Sequence, residues 1–227
     1  MAQIKTKEQI KKVAQACKIT DLIFSKIIQN FYFKTENELK AFILQEIKSR
    51  GLKPSFDPIV TSGGRAGNEI HPQATDSKLK GFVIIDMGVI YEKYMSDMTR
   101  TIFIGTPTLK EKQIYNKLLI SQVSAIVNVK DGVNASMIDA YTRKLLGKDA
   151  KYFIHMLGHG VGTKIHEEPK LYHKLTKPVL KAGMIITIEP GLYVKNRYGI
   201  RIEDTIEVTK KGFKILTKSP KELIWIM

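Results

Sequence analysis

Apolar residues recur with helical spacing in four stretches of this 227-residue chain, and each stretch opens on a residue able to cap a helix. Ile10, Val13, Ala14, Cys17, Phe24, Ile27 and Ile28 share one face of a 3.6-residue period, and Thr6 stands three residues before Gln9, the spacing of a capping box. This predicts a helix running roughly to Gln29. Thr35 and Glu38 repeat the box ahead of Leu39, Phe42, Ile43 and Ile47, with Gly51 where a helix stop belongs. Thr108 with Glu111 opens a third helix reaching about Val129, and Asn134 caps a fourth that ends at Gly147.

Between the helices the period shortens to that of strands. Residues 81–105 read as strands, with Phe82–Asp86 leading in and Thr99–Ile104 leading out, and residues 184–208 form a second strand-rich region. Residues 56–72 are rich in turn formers and read as an irregular loop holding His71, while residues 153–169 form a second loop rich in glycine and histidine. The order helix, helix, histidine loop, strand pair thus occurs twice. It predicts an α+β fold in a single domain over residues 1–227, with two similar halves, approximately 1–105 and 106–227, sharing one continuous sheet.

Composition narrows the setting. A hydrophobic fraction of 43% suits a large buried core. No apolar run is long enough for a membrane span, and the charged N-terminal stretch has no secretory character, which predicts a cytoplasmic protein with no membrane partner. Cys17 is the only cysteine, so it is expected to be a buried, inert thiol. A net charge of +15 raises the question of nucleic acid. Only six of the 37 basic residues are arginine, however, the lysines are spread along the chain, and no zinc-finger, basic-zipper or aromatic RNA-binding motif accompanies them. A solvated, lysine-rich surface is the simpler reading, and nucleic acid is not an expected partner.

Chemistry concentrates in residues 155–169, which hold three of the five histidines, His155, His159 and His166. Gly158, Gly160 and Gly162 leave the backbone there open to close approach. Two pairs of carboxylates lie before and after this stretch. Asp86 and Asp97 are an odd number of residues apart, so one straight strand would point them to opposite faces. A hairpin folded between Tyr91 and Glu92 sets them side by side, although Tyr91-Glu92-Lys93 lacks the usual Gly or Asn. Glu189 and Glu203 oppose each other about Asn196, inside Lys195–Gly199, which does carry turn chemistry. Singly, each has a structural reading: Asp86 and Asp97 as turn or edge residues, Glu203 as an ion pair with Arg201 or Lys195. Yet Asp86 and Glu189 each follow an apolar run, where a carboxylate is buried and needs a partner. Four carboxylates brought together cannot all stay ionised without a cation. Such oxygen-rich ligands with one imidazole suit manganese, cobalt or iron(II), with zinc a further candidate. Two ions ~3.5–4 Å apart, bridged by carboxylates, would use all five groups and hold a shared hydroxide.

Five separated motifs then carry a family resemblance: Asp86-Met-Gly through Tyr94-Met-Ser-Asp97-Met-Thr-Arg-Thr; His155-x3-His159-Gly-Val-Gly; Ile165-His166-Glu-Glu-Pro; Thr187-Ile-Glu189-Pro-Gly; and Gly199-Ile-Arg-Ile-Glu203-Asp. In this order and over nearly the whole chain they resemble the pita-bread metallopeptidases, which include methionine aminopeptidases, Xaa-Pro aminopeptidases and prolidases. The resemblance implies a pita-bread fold, a curved antiparallel sheet with flanking helices in two pseudo-symmetric halves. It implies Asp86, Asp97, His159, Glu189 and Glu203 as ligands of two divalent metal ions, manganese or cobalt first and iron or zinc next. It further implies His71, His166 and Glu189 as catalytic residues, Glu189 being the proton shuttle, and His155 and Arg201 as substrate-binding residues. His155-x3-His159, Arg201 and the ending Leu216–Leu223 are similar to the Xaa-Pro branch. The implied activity is therefore release of the N-terminal residue from a peptide substrate ahead of proline, as an aminopeptidase or dipeptidase. A methionine aminopeptidase is the first alternative. A non-catalytic binding module is the second, though such members usually lack several ligands and all five positions are filled here. Xaa-Pro peptidases usually carry an N-terminal domain ahead of the catalytic one, and this chain begins at the catalytic domain's first helix, so that domain is expected to be absent. A homodimer and the length of the substrate stay open.

Overall fold

The computed structural model describes residues 4–175 and 178–227; the first three residues of the charged N-terminal stretch lie outside it. Among the described residues four α-helices form where periodicity and caps place them: α1 Lys7–Gln29, α2 Glu36–Lys48, α3 Leu109–Val127 and α4 Ala135–Leu146. Thr6, Thr35 and Thr108 each accept from the amide three residues on, while Gln9, Glu38 and Glu111 reach back to the cap amide. Two of the otherwise orphaned donors at each helix start are thereby satisfied, at about 1 kcal/mol per cap. Asn134 caps α4 through the Ser136 amide, and Gly147, at φ 56, ends it.

The strands are β1 Lys53–Pro54, β2 Ile59–Ser62, β3 Gly81–Met87, β4 Val89–Tyr91, β5 Tyr94–Met95 and β6 Met98–Ile104, then, after α4, β7 Gly158–Gly160, β8 Glu167–Leu171, β9 Ile185–Ile188, β10 Gly191–Val194, β11 Tyr198–Arg201, β12 Asp204–Val208, β13 Phe213–Ile215 and β14 Trp225–Ile226. Two long hairpins dominate. In the first, β3 pairs with β6 and β4 with β5 in one common register, from Gly81↔Ile104 to Tyr91↔Tyr94. Its turn is Glu92-Lys93, both at positive φ (46 and 73), one residue later than the sequence suggests. Asp86 therefore faces Thr99 rather than Asp97. Because the slip is two positions, Asp97 still falls on the same face, diagonal to Asp86. In the second hairpin, β9 pairs with β12 and β10 with β11, again in one register, from Ile188↔Asp204 to Gly191↔Arg201. That register puts Glu189 opposite Glu203 with Asn196 at the turn, φ 58, as the spacing predicts.

The sheet is not continuous as expected. Backbone pairing divides it into β14-β6-β3-β2 and β13-β12-β9-β7-β8, with β1-β4-β5 and the ribbon β10-β11 beyond the breaks. Each hairpin breaks where carboxylates sit, at Ser96-Asp97 in the first and at Glu189-Pro190 and Ile202-Glu203 in the second. There the hairpins join each other: the Glu203 amide donates to the Thr99 carbonyl at 3.1 Å, and Thr101 Oγ1 donates to the Arg201 carbonyl at 2.8 Å. The loop predicted to be irregular contains β2, paired with β3 from Ile59↔Asp86 to Ser62↔Val83. β14 runs parallel to β6 and returns the C-terminus to the first sheet.

Helices α1 and α2 bury Ile23, Phe24, Ile27, Leu39 and Ile43 with Val83 and Ile85 of the first sheet, and α3 and α4 bury Leu118, Ile126 and Ile138 with Ile186 and Ile206 of the second. Val13 and Cys17 of α1 reach Val161 and Ile185, so the first helix seals the junction. Burial pushes the Cys17 thiol well above its ordinary range, consistent with an inert group. No helix among the described residues is long and apolar enough to cross a membrane.

Candidate metal centre

The breaks in the two hairpins bring five groups together. Asp86 is the next-to-last residue of β3, Asp97 lies between β5 and β6, His159 is the middle residue of β7, and Glu189 and Glu203 lie between the halves of the second hairpin. Asp86, Asp97, His159 and Glu203 are all buried, and the Glu189 side chain is 15% exposed. Ligand atoms of Asp97, His159 and Glu203 all lie within 4.8 Å of one another. His159 Nε2 is 3.2 Å from Glu189 Oε1 and 3.6 Å from Asp97 Oδ2.

Glycine makes room for this histidine. A Cβ on Gly158 would collide with the Thr187 carbonyl, and one on Gly160 with the Glu168 carbonyl, so only glycines let β7 wedge between β8 and β9. The His159 amide donates to Thr187 Oγ1 at 3.1 Å, and Nδ1 donates to the Gly160 carbonyl at 3.1 Å, which turns Nε2 toward the carboxylates.

The carboxylates are only partly satisfied by protein. Arg201 Nη2 donates to Asp86 Oδ2 at 2.6 Å, Thr99 Oγ1 to Glu203 Oε2 at 2.7 Å, and Thr187 Oγ1 to Glu189 Oε1 at 3.1 Å. Asp86 Oδ1 and Glu203 Oε1 are buried with no hydrogen-bond partner. A buried unpaired acceptor costs ~1–3 kcal/mol, more when charged, so two in one cluster call for a cation. Four carboxylates with one imidazole fit a hard or borderline divalent ion.

Electrostatics say the same. Burial, reinforced by neighbouring carboxylates, pushes Asp97 and Glu203 well above the usual range, and burial also raises Asp86 against the pull of Arg201. Burial would raise Glu189 too, but the hydrogen bond and charge of His159 prevail and hold it at about 2. Burial would lower His159, but Glu189 and Asp97 raise it to about 9. Without a cation the cluster thus keeps protons where a metal would otherwise supply the positive charge.

A cavity of about 240 Å³ opens onto the cluster, walled by Phe56, Asp57, Pro58, Ile59 and Ile165. His71 and His166 both line it, and the His166 ring lies 4.4 Å from that of His159, nearly perpendicular. A larger apolar groove of about 750 Å³, between α1 and the C-terminal segment, lies away from these groups.

His155 and Arg201 sit one layer behind the cluster rather than among the residues walling the cavity. Arg201, 1% exposed, donates to Asp86, Tyr193, Thr99 and the Ile70 carbonyl. Since arginine only donates, the Tyr193 hydroxyl oxygen accepts from it at 2.7 Å and passes its own hydrogen to His155 Nε2 at 3.1 Å. His155 Nδ1 donates to the Met156 carbonyl at 2.8 Å. Burial holds His155 at about 4, so the ring is neutral. Tyr193 escaped sequence reasoning, though it stands four residues after Glu189 in an alternating strand. Arg100 and Asp204 escaped too. Arg100, 2% exposed, donates to the carbonyls of Thr99, Glu203 and Ser219 and to Asp204 Oδ1, fixing the backbone that carries Glu203. The available signal was an acid directly after Glu203.

Comparison with known proteins agrees with this geometry. Residues 11–210 match Metallopeptidase family M24. The Xaa-Pro dipeptidase of Pyrococcus furiosus is 41% identical over 227 residues, covering 97% of this chain and 65% of that protein. Among solved structures, the prolidase from Pyrococcus horikoshii OT3 superposes with a TM-score of 0.92 at 40% identity, covering 97% of this chain and 65% of that one. The X-Pro aminopeptidase from Thermotoga maritima MSB8 superposes with a TM-score of 0.94 at 31% identity, covering 100% and 65%. The chain spans 65% of the length of the curated dipeptidases it matches. The α+β pita-bread architecture implied by the motifs is the one observed. Sharing with these peptidases both its fold and the motifs that build the buried cluster, the chain belongs to metallopeptidase family M24.

Proposed function

We propose that this chain is a single catalytic domain that binds two divalent ions, manganese or cobalt first, and hydrolyses the bond ahead of proline in short peptides, releasing the N-terminal residue. The observation that carries the reading is the buried cluster itself, with Asp86 Oδ1 and Glu203 Oε1 lacking protein partners. The Xaa-Pro dipeptidase and prolidase names of its relatives support the substrate class.

Asp86, Asp97, His159, Glu189 and Glu203 would hold the ions. When bound, these supply Lewis acidity toward the scissile carbonyl and lower the pKa of water. Glu189 Oε1 accepts from Thr187 Oγ1 at 3.1 Å. We assign Oε2 to take the proton of the attacking water and pass it to the leaving nitrogen, which ahead of proline is a tertiary amide with no hydrogen of its own. His166, lowered below its usual pKa by burial, donates to the developing oxyanion. His71, across the cavity, contacts the scissile amide. His155 and Tyr193 back the pocket for the proline ring, and Arg201 orients Asp86 and Tyr193. The free amine of the substrate, set near the carboxylates, limits cleavage to the first residue.

The test is hydrolysis of an Ala-Pro peptide beside a Met-Ala peptide, with manganese or cobalt and with or without chelator. Chelator-sensitive cleavage of Ala-Pro is expected. Preference for Met-Ala would assign a methionine aminopeptidase, and no cleavage of either by a protein that retains no stoichiometric metal would end the reading.

A further inference from the structure

His166 ends a six-residue loop that leaves β7 at Gly160 and re-enters the sheet at Glu167. The Glu167 side chain closes this loop. Its Oε1 accepts from the amides of Thr163 at 2.9 Å and Lys164 at 3.1 Å, and its Oε2 receives Lys5 Nζ at 2.6 Å. Both partners are withdrawn from water, with side chains 1% and 12% exposed for Lys5 and Glu167. Lys5 is pinned in turn by its own amide, which donates to the Gly183 carbonyl at 2.8 Å. A Cβ on Gly162 would run into the Glu167 carboxylate, so a side chain there would displace that carboxylate. His166 lines the cavity while Glu167, the next residue, reaches Lys5. An ion pair buried this far adds little net stability, because desolvation offsets most of the attraction; its effect is to fix geometry.

On the reading of His166 as the oxyanion donor, we propose that Glu167, with Lys5 as its counter-charge, is the positioning residue for His166. Glu167 sets the path of the loop, and the loop sets the imidazole against His159 and the cavity. A residue ahead of α1, 162 positions away in sequence, thereby controls one wall of the site.

The full chain carrying Glu167→Gln or Lys5→Met tests this in two ways. In chelated protein labelled with ¹⁵N-histidine, the imidazole signals of His166 should shift and broaden while those of His173 stay in place. In metal-loaded protein, kcat on an Ala-Pro peptide should fall about a hundredfold with KM changed less than about twofold, as expected for a misplaced oxyanion donor. Wild-type His166 signals together with kcat within about twofold of wild type would overturn the proposal. If Glu167→Gln does not fold, Lys5→Met decides, since it removes the cation and leaves both Oε1 hydrogen bonds of Glu167. If the wild-type protein cleaves neither peptide, the functional reading fails separately and the imidazole spectra alone decide the positioning role.

Discussion

Replacing Arg201 by methionine removes a buried charge while keeping most of the volume, so its effect can be worked from the contacts. Asp86 Oδ1 already lacks a partner, and Oδ2 would lose its 2.6 Å bond to the guanidinium. Stranding one member of a buried pair costs about 3–5 kcal/mol. Tyr193 keeps His155 as a partner and Thr99 keeps Glu203, so their lost bonds add less, below about 1 kcal/mol each. Proton uptake by Asp86, already raised by burial, limits the total rather than cancelling it. At ~2–4 °C per kcal/mol for a chain of this size, the chelated variant should melt about 6–20 °C below wild type at pH 7. A divalent cation beside Asp86 would supply the missing counter-charge, so with manganese bound the loss should be less than about half as large. Differential scanning calorimetry of both proteins, with chelator and with manganese, measures this. A loss under about 2 °C in chelator, or an equal loss in both conditions, would refute the reasoning.

Four further outcomes follow from the cluster and the residues behind it. The folded His159 value of about 9 lies above its ordinary 6.5, so its stabilisation is complete below about pH 6.5 and is lost as pH rises through 9. Asp97 and Glu203, also raised, change in the same direction, whereas Glu189, held at about 2, matters only as pH falls below its usual range. Chelated protein should therefore lose about 3 kcal/mol between pH 6.5 and 9, and a flat thermal-stability profile would contradict this. Titration calorimetry in buffers of different ionisation enthalpy should show protons released on metal binding. Asp97→Asn should abolish metal-dependent cleavage yet raise the melting temperature of chelated protein by a few degrees, because Asp97, pushed well above the usual carboxylate range by burial and by Asp86, must take up a proton on folding and asparagine need not; retained activity would sink the ligand assignment. His155→Ala takes the acceptor from the Tyr193 hydroxyl, worth about 1 kcal/mol. It should lower kcat/KM on Ala-Pro about fivefold, and an unchanged rate would argue against the proline pocket.

Short-range free energies were legible in the chain. Thr6, Thr35 and Thr108 mark helix starts because the donors they satisfy are three residues away. Glu189 and Glu203 could be paired from sequence because Lys195–Gly199 carries its own turn chemistry, and their mutual repulsion announced a cation before any geometry was known. The first hairpin was less readable. Glu92 and Lys93 adopt left-handed conformations without glycine, and the extended pairing of β3 with β6 outweighs that local strain, moving the register by two. β2 is four residues long between a proline and two glycines, too short for a periodic signal, and exists because β3 offers it an edge. The breaks in the two hairpins at Asp97, Glu189 and Glu203, the Arg201–Tyr193–His155 chain, the Arg100–Asp204 network and the Lys5–Glu167 latch likewise had no local signature. Each joins residues far apart in sequence, and none is favourable until packing has removed water from both partners. Caps, periods and the need for a metal follow from neighbours and charge along the chain, whereas register and the buried polar contacts that aim the ligands are settled by desolvation and exist only once the whole chain has closed around them.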